Sequence, residues 1–209
     1  MISVEANIGA GKSTFLKILG EKWPDVFNVI YEPLDDWLHK YRDVDNSILG
    51  LFYEDQKRWT STFQMNAFIT RIQKYESEKK TDKINLTERS ILSDNKLFAK
   101  SLKDDGKMNE IEWKLYENWF NWLSNKFNSK PESIIYLRCD PEVSYQRVKK
   151  RSRNEEDTIT LDYLKTLHKC HDDWLLNEKE IPVKIIDVNT DFENDQEKIQ
   201  NMFNIITQS

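Results

Sequence analysis

Ile2-Ser3-Val4-Glu5-Ala6-Asn7-Ile8-Gly9-Ala10-Gly11-Lys12-Ser13-Thr14 reads as a short β-rich run, a glycine loop and the first residues of a helix. From Ala6 to Ser13 it matches the pattern G-x-x-x-x-G-K-[ST], except that Ala6 stands where the pattern has its first glycine. Gly9 and Gly11 let backbone N–H groups turn inward on phosphate oxygens. Lys12 adds positive charge at the β- and γ-phosphates, and the Ser13 hydroxyl, at a helix N-terminus, suits Mg2+. Asn7, Ile8, Ala10 and Thr14 complete the cradle. The stretch predicts a site for ATP, or another nucleoside triphosphate, together with Mg2+. A glycine turn with an incidental lysine is the plainer alternative, but position, flanks and the Gly-Lys-Ser tail all agree with the phosphate loop. The chain holds only 5 Gly, which makes the placing of two of them beside Lys12 informative.

Downstream, short runs rich in Ile and Val alternate with long helical patterns, the order expected of a parallel sheet covered by helices on both faces. The expected strands are Ile2–Glu5, Val26–Tyr31, Lys83–Thr87, Ser133–Leu137 and Val183–Val188. Phe52 to Lys80 reads as one long helix. Ile111 to Phe127 carries Trp113, Tyr116, Phe120, Leu123 and Phe127 at steps of three and four, an aromatic stripe suited to core or interface. Asp140-Pro141 opens another helix as N-cap and first helical residue, and Thr160 to Glu178 forms the next. With no repeat and no Gly/Ser linker, residues 1–209 are expected to form a single α/β domain.

The 209 residues are 38% hydrophobic and carry 7 Trp, 8 Tyr and 10 Phe, enough for a packed core. A net charge of -5 gives no global positive field for DNA, RNA or a membrane surface, so neither partner is expected. No apolar run approaches the ~20 residues of a membrane helix, and the first strand begins at Ile2 without a charged, greasy leader; a cytoplasmic location is expected. Cys139 and Cys170 fit neither a disulfide framework nor a zinc site. His168 and His171 flank Cys170 on an expected helix that offers no further ligands.

In parallel sheets function gathers just past the strand ends, and two later ends carry chemistry. Tyr31-Glu32-Pro33 leaves Glu32 at the edge of the crevice that the phosphate loop faces, where a general base fits. Glu88-Arg89-Ser90 pairs an acid suited to Mg2+ with a cation suited to transferring phosphoryl charge. Either pair alone is more often a turn and a solvated ion pair; three strand ends with complementary chemistry point to phosphoryl transfer. Arg147, Lys149, Lys150, Arg151 and Arg153 put five positive charges into seven residues, with Arg147 and Arg151 on one helix face. Without a phosphate loop this is a solvated helix end. With one, it reads as an arginine-rich lid over about residues 147–157 that closes on the phosphates.

Taken together, NIGAGKST, EPLDDW around Glu32, RWTSTFQ from Arg58 to Gln64, ERSILSD from Glu88 to Asp94, RSRNEE from Arg151 to Glu156, LHKCHDDWLL and DVNTDF from Asp187 to Phe192 resemble the deoxynucleoside kinase family, most closely its deoxycytidine/deoxyguanosine kinase branch. The likeness spans nearly the whole chain. It implies a P-loop kinase fold with a five-stranded parallel sheet flanked by helices, and a homodimer formed through long helices, for which Ile111–Phe127 and Phe52–Lys80 are the candidates. It makes Glu32 the base that takes the proton of the nucleoside 5′-hydroxyl, and Arg89 the group that steadies the reacting oxygens. Lys12 and the loop amides are assigned to the donor phosphates, Ser13 and Glu88 to Mg2+, and Arg147, Arg151 and Arg153 to the lid. Tyr53 and Glu156 would hold the sugar 3′-hydroxyl. Gln64, Arg71 and Asp94 would hydrogen-bond the nucleobase, with Trp37, Phe63 and Phe98 packing on it, and the loop at Asp191 and Phe192 would contact the donor base.

Donor and acceptor logic then ranks substrates. Asp94 accepts from an exocyclic amine and Arg71 donates to ring acceptors, whereas thymine O4 would face a like acceptor. A mispaired contact of this kind costs about 1–3 kcal/mol, so deoxycytidine, deoxyadenosine or deoxyguanosine is expected before thymidine. An Arg71–Asp94 ion pair also has a purely structural reading. Two other functions stay open at this point. One is a nucleoside monophosphate kinase of the thymidylate type, which would need a further basic grip on the acceptor's own phosphate. The other is a non-catalytic nucleotide-binding subunit on the same fold.

Overall fold

Side chains alternate across a strand, so Val4 and Ala6 share one face of β1 (Ile2–Ala6) while Ser3 and Glu5 share the other. β2 (Phe27–Ile30), β3 (Ile84–Glu88), β4 (Ser133–Arg138) and β5 (Val183–Asp187) join it in a five-stranded sheet of order β2-β3-β1-β4-β5, parallel throughout. The structure, a computed structural model, describes residues 1–40, 47–151 and 159–207. Helices α1 (Lys12–Lys22), α2 (Leu34–His39), α3 (Ile48–Glu54), α4 (Gln56–Glu78), α5 (Ile91–Ser93), α6 (Lys100–Asp104), α7 (Glu110–Phe127), α8 (Pro141–Arg151), α9 (Leu161–Leu175) and α10 (Gln196–Thr207) follow along the chain, with a π-helical turn at Asp94–Ala99 between α5 and α6. Among the described residues no helix is long and apolar enough to cross a membrane.

By its internal packing the chain divides into two units, one of Met1–Tyr31, Lys79–Arg89 and Pro131–Ser209, the other of Glu32–Glu78 and Ser90–Lys130. The first holds the sheet. Phe15, Leu16 and Leu19 of α1 and Met202 and Ile206 of α10 meet Val4, Ala6, Leu86, Ile135, Leu137 and Ile186 in one buried core. Each large apolar side chain so removed from water contributes about 1.5–3 kcal/mol. On the other face, Tyr136 of β4 lies parallel to His171 of α9 with ring centroids 5.9 Å apart, and its hydroxyl donates to Asp172 Oδ1 at 2.8 Å. Arg138, at the end of β4, donates to the same carboxylate, Nη2 to Oδ2 at 2.8 Å.

The second unit is helical. Phe68 of α4 meets Tyr116 of α7 edge-on at 5.3 Å, and Trp113 stacks on Tyr116 at 5.7 Å, so that part of the aromatic stripe is core. The opposite side of α7 leaves a second apolar row exposed, Ile111 by 72%, Leu115 by 52%, Trp119 by 46% and Trp122 by 51%. The expected helix over Phe52–Lys80 is broken. Asp55 leaves helical geometry at φ -138°, ψ 83°, and its Oδ1 accepts from Arg58 N–H at 3.0 Å, ending α3 and capping α4. An aspartate that can bond its own downstream backbone favours a cap over a continuous helix.

Candidate active site

In the first unit, the loop between β1 and α1 is shaped by what surrounds it. Gly9 (φ 79°) and Gly11 (φ 98°) both adopt the left-handed region, and Gly11 is the N-cap of α1 with no side chain bonded across the helix end. Asn7 is buried and braces the turn: Nδ2 donates to Leu164 O at 2.9 Å and Oδ1 accepts from Ile8 N–H at 2.9 Å. A Cβ on Gly9 would lie 2.5 Å from Ser144 O and 2.6 Å from Val148 Cγ2 of α8. Gly9→Ala is therefore expected to cost about 1–3 kcal/mol through backbone strain alone, and more through the collision. Thermal melting and ATP titration check this: both midpoint and affinity should fall, and a variant with native ATP affinity would contradict the fit described.

Lys12 is buried at the loop's end. Ser13 Oγ donates to Glu88 Oε1 at 2.6 Å, joining the first turn of α1 to the end of β3. A hydroxyl and a carboxylate this close form a hard oxygen pair of the kind Mg2+ takes alongside waters and phosphate oxygens. Arg89 follows at φ 65°, a left-handed conformation that non-glycine residues rarely hold, pinned by its N–H to Val4 O at 3.0 Å. Arg147 of α8 spans three pieces of chain. Its Nη1 donates to Val188 O at 2.9 Å and to Ala10 O at 3.4 Å, and its Nη2 to Asn189 O at 3.2 Å. Phe192 packs its ring against Gly11 and stands edge-on to Phe15 at 6.2 Å, while Asp191 Oδ1 accepts from Glu193 N–H at 3.0 Å. Thr14 is partly buried in the first turn of α1, and Arg151 closes α8 exposed. Arg153 and Glu156, with most of the expected lid, lie outside the described residues.

In the second unit, Arg71 of α4 gathers two carboxylates. Nε donates to Asp94 Oδ2 at 2.7 Å, Nη2 to Asp94 Oδ1 at 3.1 Å, and Nη2 also to Glu32 Oε1 at 3.0 Å. Burial opposes the guanidinium charge, and the Asp94 and Glu32 carboxylates more than restore it, leaving the arginine's pKa above its ordinary value. Asp94 opens the π-helical turn, an irregularity that often marks functional positions. Trp37 meets Phe63 edge-on at 5.5 Å, Phe63 stacks on Phe52 at 4.7 Å, and Tyr53 tilts against Phe52 at 5.2 Å. Gln64 Oε1 is buried without a hydrogen-bond partner among the described residues, a costly state that a ligand's donor would relieve. Phe98 is partly buried on the π-helical turn.

A phosphate cradle, an acid and an arginine at a strand end, and a carboxylate pair on one buried arginine fit the match found in sequence, where the family described as Deoxynucleoside kinase covers residues 2–209. The chain belongs to the deoxynucleoside kinase family. Its similar relatives include a probable deoxycytidine kinase of Fowlpox virus (strain NVSL), 39% identical over 91% of this chain and 78% of that one. Human deoxycytidine kinase is 36% identical over 95% and 87%, and the mitochondrial deoxyguanosine kinase of Xenopus laevis 36% over 92% and 83%. As a deoxynucleoside kinase the chain is an enzyme, a phosphotransferase that takes its phosphoryl group from a nucleoside triphosphate.

Two parts of this kinase's second unit were not singled out from sequence. Phe52 forms the floor under Phe63, and Thr70 Oγ1 accepts from Trp37 Nε1 at 2.9 Å, fixing the plane of that indole. Thr70 directly precedes Arg71, so one turn of α4 orients both the aromatic wall and the carboxylate pair. The contact of Glu32 with Arg71 was likewise unforeseen.

Proposed function

We propose that the chain transfers the γ-phosphoryl group of ATP to the 5′-hydroxyl of a deoxynucleoside, with deoxycytidine and the purine deoxynucleosides preferred over thymidine. The observation that carries this reading is the Glu32–Arg71–Asp94 cluster, with Arg71 holding both carboxylates at 2.7–3.1 Å. Glu32, oriented by Arg71, takes the hydroxyl proton as the nucleoside oxygen attacks the γ-phosphorus and ADP leaves. Asp94 spends one lone pair of each oxygen on Arg71 and keeps others for an exocyclic amine. Gln64 supplies a further bond to the base, Trp37, Phe63 and Phe98 pack on it, and Tyr53 and Glu156 hold the 3′-hydroxyl. Lys12 and the loop amides hold the donor phosphates, Arg89 steadies the transferring oxygens, and the arginines at 147, 151 and 153 close on them. Phe192 and Asp191 meet the donor base. Ser13 and Glu88 would hold Mg2+, which when bound neutralises charge on the β- and γ-oxygens. The names of the fowlpox, human and Xenopus relatives support the choice of base.

In this reading both units serve one kinase domain, acting on small molecules and not on nucleic acid or a membrane, in keeping with the net charge of -5. A cytoplasmic location suits the two free thiols, Cys139 and Cys170. We also propose a homodimer in which the exposed row Ile111, Leu115, Trp119 and Trp122 of α7 packs on its copy. Light scattering tests this: Leu115→Glu should halve the particle mass, and a native protein already monomeric would end the idea.

The substrate reading is tested by initial rates with Mg-ATP across deoxycytidine, deoxyadenosine, deoxyguanosine, thymidine and the matching monophosphates. Amine-bearing nucleosides should lead thymidine by about tenfold or more, the worth of one mispaired contact. A monophosphate or thymidine in the lead would overturn the role given to Asp94.

A further inference from the structure

The face of the sheet opposite α1 carries polar groups that the mechanism above leaves unused. Strand register sets Ser3 beside Thr87 and Glu5 beside Tyr136, and all four side chains are buried. Over this layer lies α9, whose inward face places Leu164, Leu167 and His171 out of contact with water. Three polar atoms here, Ser3 Oγ, Thr87 Oγ1 and His171 Nε2, have no hydrogen-bond partner among the described residues. Buried polar atoms are rarely left so, and several together mark a place where ordered water completes the set.

The imidazole of His171 is the most defined of the three. Its Nδ1 lies 2.6 Å from Leu167 O, and since a carbonyl only accepts, Nδ1 carries the hydrogen and Nε2 presents a lone pair. Burial, and then the nearby Arg89 and Lys12 charges, hold its pKa down to about 3, so the ring stays neutral. A neutral acceptor, fixed in tautomer by Leu167 and in plane by Tyr136, thus lies within the field of the two cations assigned to the phosphates.

We infer that His171 is a positioning residue, whose Nε2 accepts a hydrogen bond from one buried water that the Arg89 guanidinium also binds, and so fixes where that cation points. The backbone of Arg89 is already held at φ 65° by Val4 O; the imidazole supplies the matching restraint at the far end of the side chain. The inference rests on the reading that Arg89 steadies the transferring oxygens.

Two substitutions separate positioning from packing. His171→Asn keeps a group near Nδ1 and loses the acceptor at Nε2, whereas His171→Gln carries an amide to the Nε2 position. If the acceptor aims Arg89, His171→Asn lowers kcat by about 100-fold, the scale of a 1 Å misplacement, with both KM values little changed, and His171→Gln restores most of it. In an Arg89→Lys background the further loss from His171→Asn should vanish. Equal kcat in the Asn and Gln variants, or full additivity with Arg89→Lys, overturns the inference. A second measurement is independent of turnover: the 15N resonance of His171 Nε2 should move when Arg89 becomes lysine, and an unmoved resonance overturns the contact. A native protein that phosphorylates no nucleoside, yet shows that resonance shift, would defeat the kinase reading of Arg89 and leave the Arg89–His171 contact standing.

Discussion

Glu32→Gln removes nucleoside phosphorylation, lowering kcat by about 100- to 10,000-fold, the usual contribution of a positioned base. The substitution keeps the shape of the side chain and an oxygen that accepts from Arg71 Nη2, so the 3.0 Å contact has a successor and the helical unit keeps its packing. What is lost is the ability to take a proton. In the proposed reading ATP binds at the loop Gly9–Ser13, in the other unit, so its affinity should stay at the native value. Steady-state kinetics beside ATP titration check both halves of the expectation. Native turnover in the glutamine variant would mean that the proton leaves by another group and that Glu32 is only Arg71's partner.

Asp94→Ala carries the second large effect. Arg71 is buried and takes two of its hydrogen bonds to Asp94, at 2.7 and 3.1 Å. Removing one member of a buried ion pair leaves the other's charge poorly compensated, at about 3–5 kcal/mol. Glu32 keeps its contact with Arg71, which sets the expected loss toward the lower end. The double variant Arg71→Met/Asp94→Leu removes both charges and should recover most of that stability without recovering activity. Urea unfolding of the three proteins, with rates on deoxycytidine, separates the two contributions. An alanine variant with an unchanged midpoint would show that the pair does not hold the fold.

The sheet and the phosphate loop were legible because their signals are local. Ile2–Ala6, Gly9, Gly11 and Lys12 declare a strand, two left-handed turns and a helix start within eleven residues of chain. The strand edges moved by a residue or so, as they do when the last ladder bond decides the boundary. The arginine that joins Glu32 to Asp94 was legible only in part. Asp94 and Arg71 were paired by resemblance, but Glu32 lies 39 residues from Arg71, and nothing in either neighbourhood announces the contact. On α7, apolar residues repeat at helical spacing on two faces, so periodicity alone could not say that Tyr116 and Phe120 turn inward while Leu115 and Trp119 stay outside. Asp55 shows the limit from the other side: an apolar pattern ran through it, and one side-chain hydrogen bond ended the helix.

The strand order has a consequence for how the molecule is made. β1 lies between β3 and β4, so its neighbours begin at Ile84 and Ser133, far down the chain. A ribosome releases the strand leading to Gly9 first and its second flank more than half a chain later. Until then the strand that leads into Gly9, Gly11 and Lys12 can pair on its β3 side alone, and its other edge stays open. Long-range parallel pairing of this kind closes slowly, and its half-built sheets expose edges that associate with other chains. A fragment ending before Ser133 would contain every residue of the glycine loop and lack one of the two strands that flank β1.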